Sequence, residues 1–538
     1  MCHEVSRCTK ISEAQPQRAM QAQVQIQAQE QVQRQVQVQR QVQVQVQVQE
    51  QIRNTMLYMG GMEMDLTIRE ITAACSGRLI PGEGTDIDMC VSGVSLDSRE
   101  VSEDGVFIAV PGERVNGHKF VGQVFSKGAA LAVVQETPEE IQCRTGEDAR
   151  GWRSLLLVQD TLQALKDIAE TYRKKLSIPV VGITGSAGKT STKELIASVL
   201  AEKYRVLKTE GNFNNEIGVP LTLLRIRRDT EVAVVEMGIS DFGEMHRLSK
   251  MARPDICVIT NIGQSHLKDL KSRDGILKAK SEIFDFMAPE GEICLNGEDD
   301  KLISLREVKG RRPHFFGLGG NPGQEVIAGD IQSHGLWGSD ALIRMPGKEE
   351  GFPIRIPLPG RHMVLNAAAA ACVAGLLGLT WEQIAEGLAK LSPVSGRGDL
   401  LRLSRCTVID DCYNANPASM EAALELLSLA DTEKTAILGD MFNLGENSPE
   451  YHRQVGICAA RAGIHRILCV GEESGHMFRG ACDHGQERGR IWHFPTLEAL
   501  LEALREEPEK YVPQDCTVLV KASHGMEFAR VTEALKAL

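Results

Sequence analysis

Residues 180–200, VVGITGSAGKTSTKELIASVL, decide the fold of this chain. A short apolar run from Ile178 to Ile183 leads into Thr184-Gly185-Ser186-Ala187-Gly188-Lys189-Thr190, and a helix-compatible segment begins at about Ser191. The order is strand, glycine loop, helix. Gly185 and Gly188 let backbone N–H groups turn inward with no Cβ in the way, the helix N-terminus adds the positive end of its dipole, and Lys189 brings a full charge to phosphate oxygens. The Thr190 hydroxyl is then the expected magnesium ligand. The spacing G-x-x-x-x-G-K-[ST] is missed by one residue, because Ile183 stands six before Lys189 and the nearest upstream glycine is Gly182. The stretch is a P-loop variant. A merely structural turn would not need Gly-Lys-Thr behind a buried strand.

At 538 residues the chain exceeds what one hydrophobic core serves, so two or three domains are expected. With 42% hydrophobic and 25% charged residues most of it reads as globular protein, and a net charge of -12 argues against a nucleic-acid binder. An anionic ligand must then be met by local lysines, arginines and helix termini. The 14 cysteines show no C-x-x-C pair and no zinc spacing, so they read as free thiols in a reducing compartment. The apolar run from Met363 to Leu379 is too short to span a membrane and reads as a buried helix. The N-terminus lacks the regions of an export signal, and a cytoplasmic protein is expected.

From Gln21 to Gln51 every odd position is glutamine, with valine at most even ones. A period-two tract without a partner segment stays disordered or self-associates, so residues 1–62 are set aside as a low-complexity extension. Globular texture begins at Leu66, where Leu66 to Ile71 reads as a capped first helix. Apolar runs at 106–112 and 129–134 then suggest an α/β unit whose loops carry Ser98 and Arg99. After the glycine loop the runs EVAVVEMG (231–238), ICVITNIG (256–263) and EICLN (292–296) alternate with helical stretches, which implies a parallel sheet covered on both faces. A Pro/Gly/Ser-rich link at 391–398 precedes a second series at 406–411, 435–440, 466–471 and 517–523, the mark of another doubly wound domain. The expected domains are 63–177, 178–393 and 394–538.

Single residues carry competing readings. Glu236 ends an apolar strand, where a carboxylate either caps the next loop or reaches a metal beside Thr190, and the metal is preferred. His266 follows a strand of the same domain and is as readily a ligand as a structural histidine. Lys280, in KAKSEIF, reads as one face of a solvated helix. Arg397 sits in the link, where a guanidinium could reach phosphates across a gap or form a surface ion pair. Asp410 and Asp411 precede Cys412-Tyr413-Asn414-Ala415-Asn416-Pro417, a loop dense in amides that suits a peptide-like substrate or, equally, a turn with a helix cap. Composition and spacing stop at an ATP-using, three-domain α/β enzyme with a small polar substrate.

Taken together, GITGSAGKTSTKE, NFNNEIGVP (212–220), EMGIS, NIGQSHL, KAKSEIF, PLPGRH, DDCYNANPASM and LGDMFNLGE resemble the Mur ligase family over residues 66–538. The N-F-N-N-x-I-G-V-P and D-x-Y-N-A-N-P stretches point to its dipeptide-adding branch. The D-N-P-R motif of the diaminopimelate-adding branch is absent. The resemblance implies an N-terminal domain for a UDP-linked substrate, a central P-loop ATPase domain and a C-terminal Rossmann-like domain. It implies ATP-dependent transfer of D-alanyl-D-alanine onto UDP-N-acetylmuramoyl-tripeptide, with two magnesium ions, in a monomeric chain. By the same resemblance Gly185, Ser186, Ala187, Gly188, Lys189, Thr190 and Ser191 would hold ATP phosphates, with Thr190, Glu236 and His266 as metal ligands. Lys280 would be carried as a carbamate, which overturns its bland reading. Asn296, Asn366, Arg397 and Asp411 would contact adenine, ribose or γ-phosphate. Lys189, Lys280, His266 and Arg397 make up the expected catalytic set. Ser98 and Arg99 would meet the uridine end, Asn214 and Asn215 the muramoyl-peptide part, and Asn414 with Asn416 the dipeptide. Ala187, Met363 and His524 depart from commoner family residues. Two alternatives remain: another amino-acid ligase of this superfamily, such as a folylpolyglutamate synthetase relative, or a nucleotide-binding interaction protein that has lost catalysis.

Overall fold

Short runs of Val, Ile and Leu with no polar interruption form strands that can be buried on both faces, and here they build three sheets, one after another along the chain. The computed structural model describes residues 64–538 apart from 83, 113–114, 147–151, 266, 393–395 and 397. The expected extension 1–62 and the expected boundary at 393–394 lie outside the described residues.

The first sheet runs β1 (Arg78–Ile80), β5 (Ser154–Leu157), β4 (Leu131–Val134), β3 (Val106–Ile108), β2 (Val94–Ser95), parallel except where β1 pairs with β5. Ahead of it, helix Ile68–Cys75 starts at Thr67, whose side chain and that of Glu70 close a reciprocal capping box, as the expected first helix requires.

The central sheet has nine strands. Its parallel part is β7 (Val206–Lys208), β8 (Val232–Glu236), β6 (Val180–Thr184), β9 (Ile256–Ile259), β10 (Glu292–Asn296), β11 (His314–Gly317) and β12 (Val326–Ser333). An antiparallel arm, β12 to β13 (Ser339–Met345) to β14 (Lys348–Ile356), extends it. That arm departs from the all-parallel expectation. Its outer strand alternates buried and exposed positions, the period of a sheet with one wet face.

The third sheet runs β15 (Asp399–Arg402), β16 (Cys406–Asp410), β20 (Cys516–Lys521), β17 (Lys434–Gly439), β18 (Arg466–Val470), β19 (Ile491–Phe494). All but the β15–β16 pair are parallel. The expected strands are present; edge strands β15 and β19 are additions.

The cores show which parts are packed as one. One apolar cluster takes in Met64, Leu66, Ile108, Leu156, Ile168 and Tyr172 from the first region and Val219, Met237, Ile259 and Phe315 from the second. The first two sheets therefore share a core. The opposite face of the central sheet packs on helix Lys189–Leu200 and on the buried helix Arg361–Leu376, which overlaps most of the run 363–379 where a buried helix was expected. The third sheet closes two clusters of its own, to which the rest of the described chain contributes Leu336 alone. The described cysteines are free thiols. No helix among the described residues is long and apolar enough to cross a membrane.

Candidate active site

β6 ends at Thr184, and the helix begins at Lys189, two residues earlier than expected, with Gly188 at its N-cap at φ +76°. A Cβ on Gly185 would lie 1.9 Å from the Thr260 hydroxyl oxygen, so only glycine fits there. The end of β9 clasps the loop from below. Thr260 Oγ1 donates to the Ala187 carbonyl at 2.6 Å, Asn261 Nδ2 donates to the same carbonyl at 3.0 Å, and Ala187 N–H donates to Asn261 Oδ1 at 2.9 Å. Ser186 Oγ accepts from Gly263 N–H at 2.9 Å. Ala187 is thus held through its backbone, and its side chain is immaterial. No side chain caps the helix, so the N–H groups of its first turn, which have no intrahelical partner, remain available to an anion.

Lys189 folds back and donates from Nζ to the Gly185 carbonyl at 2.8 Å. Thr190 donates from Oγ1 to Glu236 Oε2 at 2.9 Å, with both side chains buried. The other oxygen, Glu236 Oε1, accepts from Asn214 Nδ2 at 2.8 Å, which brings the asparagine-rich loop to the phosphate loop. Lys193 stands behind, its Nζ 4.0 Å from Glu236 Oε2 and donating to the Thr209 carbonyl at 2.7 Å. A buried hydroxyl and carboxylate side by side form a hard-oxygen donor pair, which fits magnesium; that ion takes few protein ligands and completes its shell with waters and phosphate oxygens. His266, the third expected ligand, lies outside the described residues, as does Arg397.

Lys280 corrects its own bland reading. On helix Arg273–Ser281 it is 2% exposed, and among the described residues no acceptor or carboxylate pairs with it. Burial, and secondarily the charge of Lys189, hold its pKa well below that of an ordinary lysine. Asn366, also buried, faces Gly188, its Oδ1 3.5 Å from where a Cβ there would stand. Asn296 spends both ends of its amide inside the protein, donating to the Thr260 carbonyl at 2.8 Å and accepting from Glu298 N–H at 2.8 Å. It braces the β9 clasp.

The third sheet presents strand ends to the same region. Lys521, at the end of β20, donates to Asp411 Oδ2 at 2.6 Å and to the Asn414 carbonyl at 2.9 Å. Asn416 caps helix Pro417–Ser428, and its Nδ2 donates to Ser265 Oγ at 3.4 Å, a link to the loop that follows β9. His362, at the start of the Arg361–Leu376 helix, feels the charges of Asp411 and Lys521. Asn215 Oδ1 accepts from Ile217 N–H at 3.0 Å and Gly218 N–H at 2.8 Å, so its side chain shapes a turn. Ser98 is buried, and its carbonyl accepts from Lys127 at 2.8 Å; Arg99 is exposed and paired with Asp97 at 2.6 Å. No contact among the described residues joins these two to the phosphate loop.

Sequence reasoning passed over Thr260, Asn261, Lys193 and Lys521. Lys521 had a signal: like Glu236, it is the lone charge closing an apolar strand. Lys193 lies four residues after Lys189 on a helix, hence on the same face.

Three family profiles match the chain: Mur ligase family, catalytic domain, over residues 90–173; Mur ligase middle domain over 183–374; and Mur ligase, glutamate ligase domain, over 396–524. The UDP-N-acetylmuramoyl-tripeptide–D-alanyl-D-alanine ligase of Bacillus subtilis (strain 168) is 36% identical over 455 residues, covering 83% of this chain and 93% of that protein. Its Escherichia coli (strain K12) counterpart is 33% identical over 476 residues, 88% and 99% of the two chains. Among solved structures, MurF from Acinetobacter baumannii superposes with a TM-score of 0.77 at 30% identity, covering 88% of this chain and 99% of its own. MurF ligase from Thermotoga maritima in complex with ADP does so at 0.70 and 28%, covering 83% and 97%. Likeness at this level, spanning nearly the full length of each relative and all three sheets, places the chain in the Mur ligase family.

Proposed function

We propose that this chain is the ATP-dependent ligase that joins D-alanyl-D-alanine to UDP-N-acetylmuramoyl-tripeptide, giving the pentapeptide precursor of peptidoglycan. The carrying observation is the clasped phosphate loop with its buried Thr190–Glu236 pair, in a chain whose relatives of 36% and 33% identity bear that activity in their names.

A carboxylate at neutral pH is a poor electrophile, so it must be activated. The tripeptide carboxylate attacks the γ-phosphorus of ATP, forming an acyl phosphate and releasing ADP. The dipeptide amine then attacks the acyl carbon, the C–O bond to phosphate breaks, and inorganic phosphate leaves with the amine's proton lost to solvent or base. The loop N–H groups and Lys189 bind the phosphates; Lys189 exchanges the Gly185 carbonyl for a phosphoryl oxygen. Thr190 and Glu236, with His266, would hold magnesium, which when bound neutralises charge on the phosphoryl oxygens. Arg397, on the link between the second and third sheets, adds a guanidinium to the same charge.

Lys280 is suited to carbamylation, since the neutral amine, favoured by its burial, is the form that adds to CO2. The N–C bond forms and one proton is released, leaving an anion beside Lys189. Asn214, held against Glu236, and the loop carrying Asn414 and Asn416 line the acceptor and dipeptide sides. On this reading the chain acts in the cytoplasm.

The test is phosphate release from MgATP by the purified chain, with both peptide substrates and with each alone. Release only with both is expected. No release with both, from folded protein that binds ATP, overturns the assignment.

A further inference from the structure

Strands β16 and β20 pair in parallel with Asp410 opposite Val520, and the Asp411 N–H reaches the Val520 carbonyl at 3.0 Å. The next residues along, Asp411 and Lys521, therefore leave the two strand ends side by side and on one face. The Lys521 side chain is 2% exposed, and its ammonium donates twice, to Asp411 Oδ2 at 2.6 Å and to the Asn414 carbonyl at 2.9 Å. One buried cation thus bridges two points on the loop that leads into helix Pro417–Ser428.

What lies between those points shows what the bridge does. Cys412 and Ala415 are buried, each in one of the two apolar clusters of the third sheet, whereas Asn414 is exposed. The loop is pegged into the core at 412 and 415, and Lys521 draws in the backbone at 414. The Asp411 side chain is 24% exposed, and its Oδ1 has no hydrogen-bond partner among the described residues, so the bridge holds one carboxylate oxygen and leaves the other open. The pair stands where the third domain meets the central one: His362 feels both charges, and Asn416 reaches Ser265 at 3.4 Å. A buried ion pair is a poor source of stability, because desolvation offsets most of the attraction. What this one supplies is the shape of a loop.

We propose that Lys521 is a positioning residue of the ligase reaction: from beneath the loop it ties the Asp411 carboxylate to the Asn414 carbonyl and so fixes the pose in which Asn414 meets the incoming dipeptide. This rests on the ligase function proposed above. Lys521 acts through the loop and not on the reacting atoms.

Lys521→Met, Asp411→Asn and the double variant are compared with the unaltered chain, by steady-state kinetics with each substrate varied in turn and by hydrogen exchange of the loop amides read by mass spectrometry. Lys521→Met should raise the KM for D-alanyl-D-alanine roughly tenfold or more, with the KM for UDP-N-acetylmuramoyl-tripeptide within about twofold. Asp411→Asn keeps the Lys521 bond to the Asn414 carbonyl, so its dipeptide KM should rise by less than about threefold. A merely structural loss would lower the fraction of active protein, hence the apparent kcat, and leave both KM values in place. Should Lys521→Met fail to fold, the double variant decides, because it leaves no lone charge behind. It should show the same rise in dipeptide KM, and its amides at 412–416 should exchange roughly tenfold faster than in the unaltered chain. A dipeptide KM within about twofold in the double variant, unchanged loop exchange, or an Asp411→Asn effect as large as that of Lys521→Met overturns the role. Absence of dipeptide turnover in the unaltered chain would instead refute the ligase assignment, and loop exchange would still test the bridge.

Discussion

Lys280 carries an amine into a place where no described residue offers it a counter-charge, and burying a lone ammonium costs several kcal/mol. Replacing it with methionine should raise the melting temperature of the ligand-free protein by a few degrees while abolishing turnover. The sign with pH follows. Folded Lys280 binds fewer protons than unfolded Lys280 between its lowered pKa and 10.5, so native stability rises with pH across that window, and Lys280→Met should flatten the rise. Thermal melts of both proteins across pH check this; a variant that melts lower at neutral pH contradicts it. Lys189→Ala should cut phosphate release at least a hundredfold with unchanged circular dichroism, and near-normal turnover would sink the phosphate-loop assignment. The phosphate loop was legible from residues 184–190 because its chemistry is local. Lys280 was not, because the burial of a single lysine is decided by tertiary packing that the local pattern KAKSEIF does not spell; resemblance, and not pattern, singled it out. Asn416 shows the reverse, since the helix-cap role weighed for its loop is the one its side chain performs.

Among the elements, helix Thr161–Lys175 joins the first two domains. Its Arg173 donates to the carbonyls of Leu176, Ala252 and Arg253 and to Asp255, at 2.8–3.0 Å, and so closes the end of helix Glu244–Ala252. Arg173→Ala strands those acceptors and should cost about 2–3 kcal/mol, a fall of roughly 5 °C in melting temperature. Differential scanning calorimetry would show it, and an unshifted transition would mean that water takes over the carbonyls. The parallel strands were readable because strands buried on both faces spell themselves as apolar runs, as ICVI and AILG do. The arm β12 to β14 was not. One of its faces is wet, so KEEGFPIRI mixes charge with apolar residues and passes for a loop unless the period of two is counted. β15 and β19, short and at sheet edges, carry too few residues for any period to show.

For the molecule as a whole, the cores divide differently from the sheets. Two sheets share one apolar cluster and the third keeps its own, so calorimetry should resolve two unfolding transitions and not three. MgATP at a hundredfold over its dissociation constant should stabilise the unit holding the phosphate loop by about 2.7 kcal/mol and move its transition upward. A single transition, or three, would contradict that division. The shared cluster also bears on how the chain is born. Its members run from Met64 to Phe315, so the first domain leaves the ribosome with one side of its core still unmade. At roughly 5–20 residues per second, the about 140 residues from the end of that domain to Phe315 take some 7–28 s to follow, and through that interval apolar surface is open to any chaperone that waits at the tunnel mouth.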